Sequence, residues 1–190
     1  METVVNGVSR AGLQDAIALM TAQPALAEFT FRIENEWIAG GLNRSRVTDF
    51  DGVGQTLTHA AAFEICNDEP AVLLSGDQGP NSVENLLHAL AGCLTTSIVY
   101  HAAARGMRID ALRTRFSGDL DLRGLLGIST ACRNGYRAIE VEFDIEGDLT
   151  SAQKRELIAM GPRYSPVFDV ISHGTPVHCR LREDTNAAAA

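Results

Sequence analysis

Gly79-Pro80-Asn81-Ser82-Val83-Glu84-Asn85-Leu86-Leu87-His88-Ala89-Leu90-Ala91-Gly92-Cys93-Leu94-Thr95-Thr96-Ser97-Ile98-Val99-Tyr100-His101-Ala102-Ala103-Ala104-Arg105 is the stretch that decides the fold. Asn81 suits an N-cap, and Glu84 three residues later completes a capping-box pattern. No charge follows until Arg105, and Gly106 then suits a helix end. The pattern predicts one long helix with no polar face, which must be covered on all sides. One sheet from a single chain covers only one side, so two such helices sandwiched between two sheets of a dimer would solve the problem.

The surrounding chain alternates between strand and helix signals. Residues 10–28 predict a helix with Leu13, Ile17 and Met20 at helical spacing, interrupted by Pro24. Residues 29–38 alternate apolar and polar, which places Phe29, Phe31 and Ile33 on one face of a strand. Gly40-Gly41 marks a turn, and strands are expected over 44–50 and 56–66. After the long helix, strands are expected at 108–122 and 137–147, with a connecting loop over 125–135. A second helix is expected over 151–161, capped by Thr150 or Ser151 and ended by Gly161-Pro162. A further helical segment over 165–171 and a last strand over 176–181 complete the order. Strands grouped in runs around helices indicate an α+β domain with an antiparallel sheet and a long buried central helix. The organisation expected is an N-terminal helical extension over 1–28, a main domain over 29–183 and a disordered tail over 184–190.

Composition narrows the partners. The 190 residues carry 16 Lys+Arg against 24 Asp+Glu, a formal charge of −8, which argues against nucleic acid or an anionic membrane. No basic n-region precedes an apolar run at the N-terminus, so no secretory signal is read there. Residues 85–104 are about long enough to span a bilayer, yet they include Asn85, His88, Thr95, Thr96, Ser97 and His101, which favours a buried helix over a membrane span. The four cysteines, Cys66, Cys93, Cys132 and Cys179, form no CxxC pair, which speaks against zinc and points to free thiols in a reducing cytoplasm. No metal or cofactor is expected.

Cys93 is the candidate reactive group. On a buried helix a thiol is by default a small hydrophobe, and it becomes a nucleophile only where something stabilises the thiolate. Arg44 and Arg46 share one face of an extended segment and could supply that charge, although a solvated strand edge is the plainer reading of each. Glu84 could hold such an arginine by bidentate pairing while also capping the helix. His88 and His101 suit hydrogen-bonded core or interface positions. About 140° of helix rotation separates His88 from Cys93.

The segment from Gly79 to Leu87, followed by Ala89-Leu90-Ala91-Gly92-Cys93, resembles the signature of the OsmC/Ohr family of thiol-dependent peroxidases. Ala104-Arg105-Gly106-Met107, Gly118-Asp119-Leu120-Asp121-Leu122, residues 139–145 and Ser165-Pro166 follow in the family's order, and the likeness covers about residues 29–182. The resemblance implies an intertwined α+β homodimer with two active sites at its interface. It implies that the cysteine at the Cys93 position attacks the peroxide bond, that an arginine from the N-terminal strands stabilises the thiolate, and that a glutamate near the helix start holds that arginine. It also implies a resolving cysteine in a Cys-Pro motif, but this chain has Ser165-Pro166 there, and a hydroxyl forms no disulfide. Glu84 lies nine residues before Cys93, as in the broader OsmC-like pattern; the organic-hydroperoxide branch has its glutamate where this chain has Val83. Arg44 and Arg46 both remain candidates, with Ser165 and His88 as candidate substrate contacts.

Three readings follow. The first is a one-cysteine peroxidase that uses Cys93 and an external thiol to reduce organic hydroperoxides or hydrogen peroxide. The second is a small-molecule binding protein on the same scaffold. The third is a non-redox enzyme with Cys93 as nucleophile.

Overall fold

The computed structural model describes residues 3–182; the tail expected over 184–190 lies outside them. The fold is α+β with antiparallel sheets. It begins with β1 (Val4–Val5) and β2 (Val8–Ser9), a small hairpin turned by Asn6-Gly7, both at positive φ. Helix α1 (Arg10–Ala22) follows, with Ser9 Oγ accepting from Gly12 N at 3.0 Å, and Pro24–Ala27 forms a 3-10 turn.

Side-chain hydrogen bonds tie the extension to the body near the end of the long helix. Asn6 donates from Nδ2 to Met107 O (3.0 Å) and accepts from Ile109 N at Oδ1 (2.9 Å). Arg10 Nη2 donates to Ala104 O at 3.3 Å. These contacts close over the end of the long helix, where carbonyls lack helical partners.

The first large sheet comprises β3 (Thr30–Phe31), β4 (Glu34–Ala39), β5 (Leu42–Gly52) and β6 (Gln55–Asn67). β5 pairs antiparallel with β6 on one edge and with β3 and β4 in succession on the other. The single strand expected over 29–38 is therefore two, broken at Arg32-Ile33. A two-residue turn at Val53-Gly54, both at positive φ, joins β5 to β6. A row of aromatic rings crosses this sheet, stacked from Phe29 and Phe31 to Phe50, tilted at His59 and edge-on at Phe63, with neighbouring centroids 5.0–6.0 Å apart.

The long helix is α2 (Ser82–Ala104). Asn81 Oδ1 accepts from Glu84 N, and Glu84 Oε2 accepts from Asn81 N, each at 2.9 Å, so the capping box forms as its spacing predicts. Leu90, Leu94, Ile98, Ala102 and Ala103 are buried. They pack against α4 (Ser151–Tyr164), α5 (Pro166–His173) and β7 (Ala111–Asp119). β7 pairs along its full length with β8 (Ala138–Glu146), and the one-turn helix α3 (Leu122–Leu125) opens the loop between them. α2 is long and apolar enough to cross a bilayer, but this face of it is core.

Two further sequence expectations are corrected. The helix expected to stop at Gly161-Pro162 runs on to Tyr164. Pro162 lies in the last turn, where the helix loses only one amide donor, and Gly161 lets the backbone sit against Leu94 and Ile98. Residues 176–181 form no strand; they are exposed and have no partner strand among the described residues.

Only one face of α2 is covered within the protomer. Glu84, His88, Gly92, Thr96 and Tyr100 are exposed along the opposite side. The chain exposes 13840 Å², whereas a compact monomer of 20.4 kDa exposes about 8,800 Å². Much of the excess is apolar, including Phe31, Trp37, Phe63, Val72 and Leu74.

Candidate functional site

Cys93 lies near the middle of α2, half-buried, on the stripe continued by Leu86 and Leu90. Among the described residues it has no hydrogen-bond partner, and none of the four cysteines is in a disulfide. His88 is exposed and makes no bond to Cys93.

Arg44 and Arg46 lie on β5 with buried Ser45 between them, so strand alternation places both on one exposed face. Their cross-strand neighbours are Glu36 and Cys66 for Arg44, and Glu34 and Glu64 for Arg46. Despite these acids, neither arginine makes an ion pair or hydrogen bond among the described residues. Glu84 holds its cap at Asn81 and pairs with no arginine among them. The protomer thus joins Glu84 to Asn81, and among the described residues no bond links either arginine to Cys93.

The other face of the sheet is anchored to α2 through amides. Asn85 Nδ2 donates to Asn67 Oδ1 (2.5 Å), Asn67 Nδ2 to Asn43 Oδ1 (3.3 Å), and Asn35 Nδ2 to the same oxygen (2.9 Å). This chain of side chains sets where the arginine-bearing strand sits relative to the start of α2. Asn85 carries no motif that marks it from sequence.

The loop before α2 is fixed by Asp68, which is 1% exposed. Its Oδ1 accepts from Glu69 N (2.8 Å) and Ser75 Oγ (2.5 Å), and its Oδ2 from Gln78 N (2.9 Å). Ser75 and these amides hold the carboxyl below its ordinary value.

Ser165, at the position the resemblance assigns to a resolving cysteine, is 2% exposed and joins α4 to α5. Its Oγ accepts from Phe168 N at 3.1 Å, capping α5, and its own N–H donates to Gly161 O at 3.0 Å. The other thiols have distinct settings. Cys132 donates from Sγ to Asp121 at 3.5 Å, Cys66 lies in the sheet opposite Arg44, and Cys179 is exposed.

Two further groups stand out that no sequence motif announces. Tyr136 reaches back to α2, its OH donating to Val83 O at 3.1 Å; burial and then the Glu84 carboxylate raise its phenol above the ordinary value. His101 stacks on Tyr164 with centroids 3.9 Å apart, and burial, then Arg105 and Arg163, lower its basicity. Among the described residues no cluster of three or more His, Cys, Asp or Glu is placed to hold a metal ion.

Comparison with known proteins agrees with this architecture. The family model described as OsmC-like protein matches residues 75–180. The OsmC-like protein from Mycoplasma pneumoniae is similar in structure: 17% identity, 75% of this chain and 87% of that chain covered, TM-score 0.58. A hypothetical protein from Aquifex aeolicus VF5 is also similar, at 16% identity, 77% and 89% coverage and TM-score 0.53. At these identities the likeness shows the fold. No curated protein matches the sequence. The chain belongs to the OsmC-like family.

Proposed function

We propose that this member of the OsmC-like family is a one-cysteine, thiol-dependent peroxidase that works as a homodimer, with Cys93 as its nucleophile. The observation that carries the reading is that a half-buried, free Cys93 occurs in a chain whose Ser165 offers a helix-capping hydroxyl where the resemblance implies a resolving thiol. With no thiol at that position, the oxidised cysteine must be resolved from outside.

In this reading the Cys93 thiolate attacks the distal oxygen of a hydroperoxide. The O–O bond breaks, the alkoxide leaves as alcohol after taking one proton, and Cys93 becomes a sulfenic acid. An external thiol then condenses with the sulfenic acid, releasing water and leaving a mixed disulfide. A second external thiol attacks that disulfide, frees Cys93 and leaves as the oxidised low-molecular-weight disulfide. The peroxide is reduced by two electrons and the two external thiols supply them. Arg44 or Arg46 supplies the positive charge that favours the thiolate, Glu84 orients that arginine, and His88 and Ser165 border the substrate.

Dimerisation is part of the proposal. The protomer's surface exceeds the compact expectation by about half, and the Gly92 face of α2 is bare. A second copy covering that face would also bring an arginine-bearing sheet to the thiol. Four unpaired thiols suit a reducing cytoplasm.

The test is peroxide consumption coupled to an external thiol. Cys93→Ser is expected to abolish it, while Cys66→Ser, Cys132→Ser and Cys179→Ser retain it. Unchanged turnover by Cys93→Ser overturns the reading. A second reading, a binding protein with an inert Cys93, is favoured by the lack of any cation paired near that thiol within the protomer.

A further inference from the structure

A cleft of about 440 Å³ lies between α2, α5 and β8. Each element contributes an apolar pair by its own periodicity: Leu86 and Leu90 four apart on α2, Phe168 and Ile171 three apart on α5, Ile139 and Val141 two apart on β8. The space they share is left unfilled by the protomer. Arg133, Gly135, Tyr136 and Arg137 form a further wall, and this wall is pinned. The Tyr136 hydroxyl is bonded to Val83 O, and its ring lies where a Cβ on Gly118 would come within 2.7 Å, so glycine is needed at that point of β7.

Two arginines lie on this wall. Arg137 is committed to Asp121, at 3.0 Å, which also holds Arg123. Arg133 also lines the cleft, and among the described residues it has no ion pair or hydrogen bond. Exposed and unpaired, the Arg133 guanidinium is free to pair with an anion from outside. The nearest acid on the α2 side, Glu84, is engaged at Asn81 N. One guanidinium fits one carboxylate through two parallel N–H···O bonds, whereas a phosphate dianion calls for more positive charge.

We propose that this cleft is a binding site for an amphipathic carboxylate, its acid group on Arg133 and its apolar chain among Leu86, Leu90, Phe168 and Ile171. Leu86 and Leu90 lie on the α2 stripe that Cys93 continues, and binding of the carboxylate does not depend on the thiol.

Calorimetric titration of the full-length protein with octanoate, octan-1-ol and acetate tests it. Octanoate is expected to bind once per chain, octanol more weakly and acetate not measurably. Arg133→Gln, at an exposed position, is expected to weaken octanoate by about ten-fold or more while leaving octanol unchanged, in line with loss of one charged hydrogen-bonded pair. Leu86→Glu is expected to abolish binding of both. Cys93→Ser is expected to bind octanoate like the parent, so failure of the peroxidase reading leaves this result intact. Absence of saturable octanoate binding, as when a second copy's side chains fill the cleft, overturns the proposal. So does equal octanoate affinity in an Arg133→Gln protein that unfolds at the parent's temperature.

Discussion

Ser165 Oγ accepts a hydrogen bond from the backbone N–H of Phe168 at 3.1 Å, so the residue at the position where the resemblance implies a resolving cysteine serves here as a helix cap. The serine hydroxyl is a strong N-cap and sits in a nearly closed environment. Ser165→Ala is expected to lower stability by about 1 kcal/mol. Denaturant unfolding of the two proteins checks this, and an unchanged midpoint would mean that the cap contributes nothing.

Asn6 bridges Met107 and Ile109 through both ends of its amide. Asn6→Ala removes two partly buried hydrogen bonds and is expected to cost about 1–3 kcal/mol of local stability. Hydrogen exchange resolved by peptide should show faster exchange in residues 3–22 and around Ile109, with the β7–β8 hairpin unchanged. Uniform exchange between parent and variant would mean that the extension is held elsewhere.

Much of this architecture is legible in the sequence. The α2 capping box, the exit at Gly106 and the strands on either side of α2 follow from local patterns that the tertiary structure keeps. Asn6-Gly7 is a strong hairpin signal that the helical reading of residues 10–28 overshadowed. The α4 boundary at Gly161-Pro162 failed because packing of Gly161 on Leu94 and Ile98 outweighs the local penalty of a proline in the last turn. The strand expected over 176–181 failed because an alternating pattern needs an edge to pair with. At the site, Cys93, Arg44, Arg46 and Glu84 are candidates read from residues alone, and of their expected roles the protomer shows the Glu84 cap. What joins their elements is not visible from residues alone, since Asn67–Asn85 and Tyr136–Val83 are contacts between distant segments with no local signature.

Gly92 sits at mid-helix, and a Cβ added there meets nothing within 4 Å. A glycine in an open helix face costs about 1 kcal/mol relative to alanine, so the protomer alone gives no reason for it. A second helix crossing closely at this point does. Gly92→Trp is expected to leave the protomer folded and to shift a dimer toward monomer by at least about ten-fold in dissociation constant, equivalent to about 1.4 kcal/mol. Sedimentation equilibrium reads this directly; an unperturbed dimer would place the interface elsewhere.

Asp68 ties the loop before α2 through three accepted hydrogen bonds. Its carboxyl is held below the ordinary value in the folded state. That stabilisation is fully present above the unfolded value of about 3.9 and is lost as pH falls through the lower folded value. Asp68→Asn replaces one acceptor by a donor facing another N–H, so its melting temperature is expected below the parent's near neutral pH. The gap between the two proteins should narrow only as pH drops below about 4. A gap that is constant down to pH 2 would show that the charge of Asp68 is not what matters.

The most direct test of the central claim is the alkylation rate of Cys93 against pH, read by mass spectrometry on the parent and on Arg44→Met and Arg46→Met, before and after exposure to an organic hydroperoxide. Alkylation of Cys93 is expected to be faster in the parent than in the variant that lacks the activating arginine. The account also predicts labelling that peroxide blocks and added thiol restores. A slow thiol, unaffected by either arginine and untouched by peroxide, would contradict it.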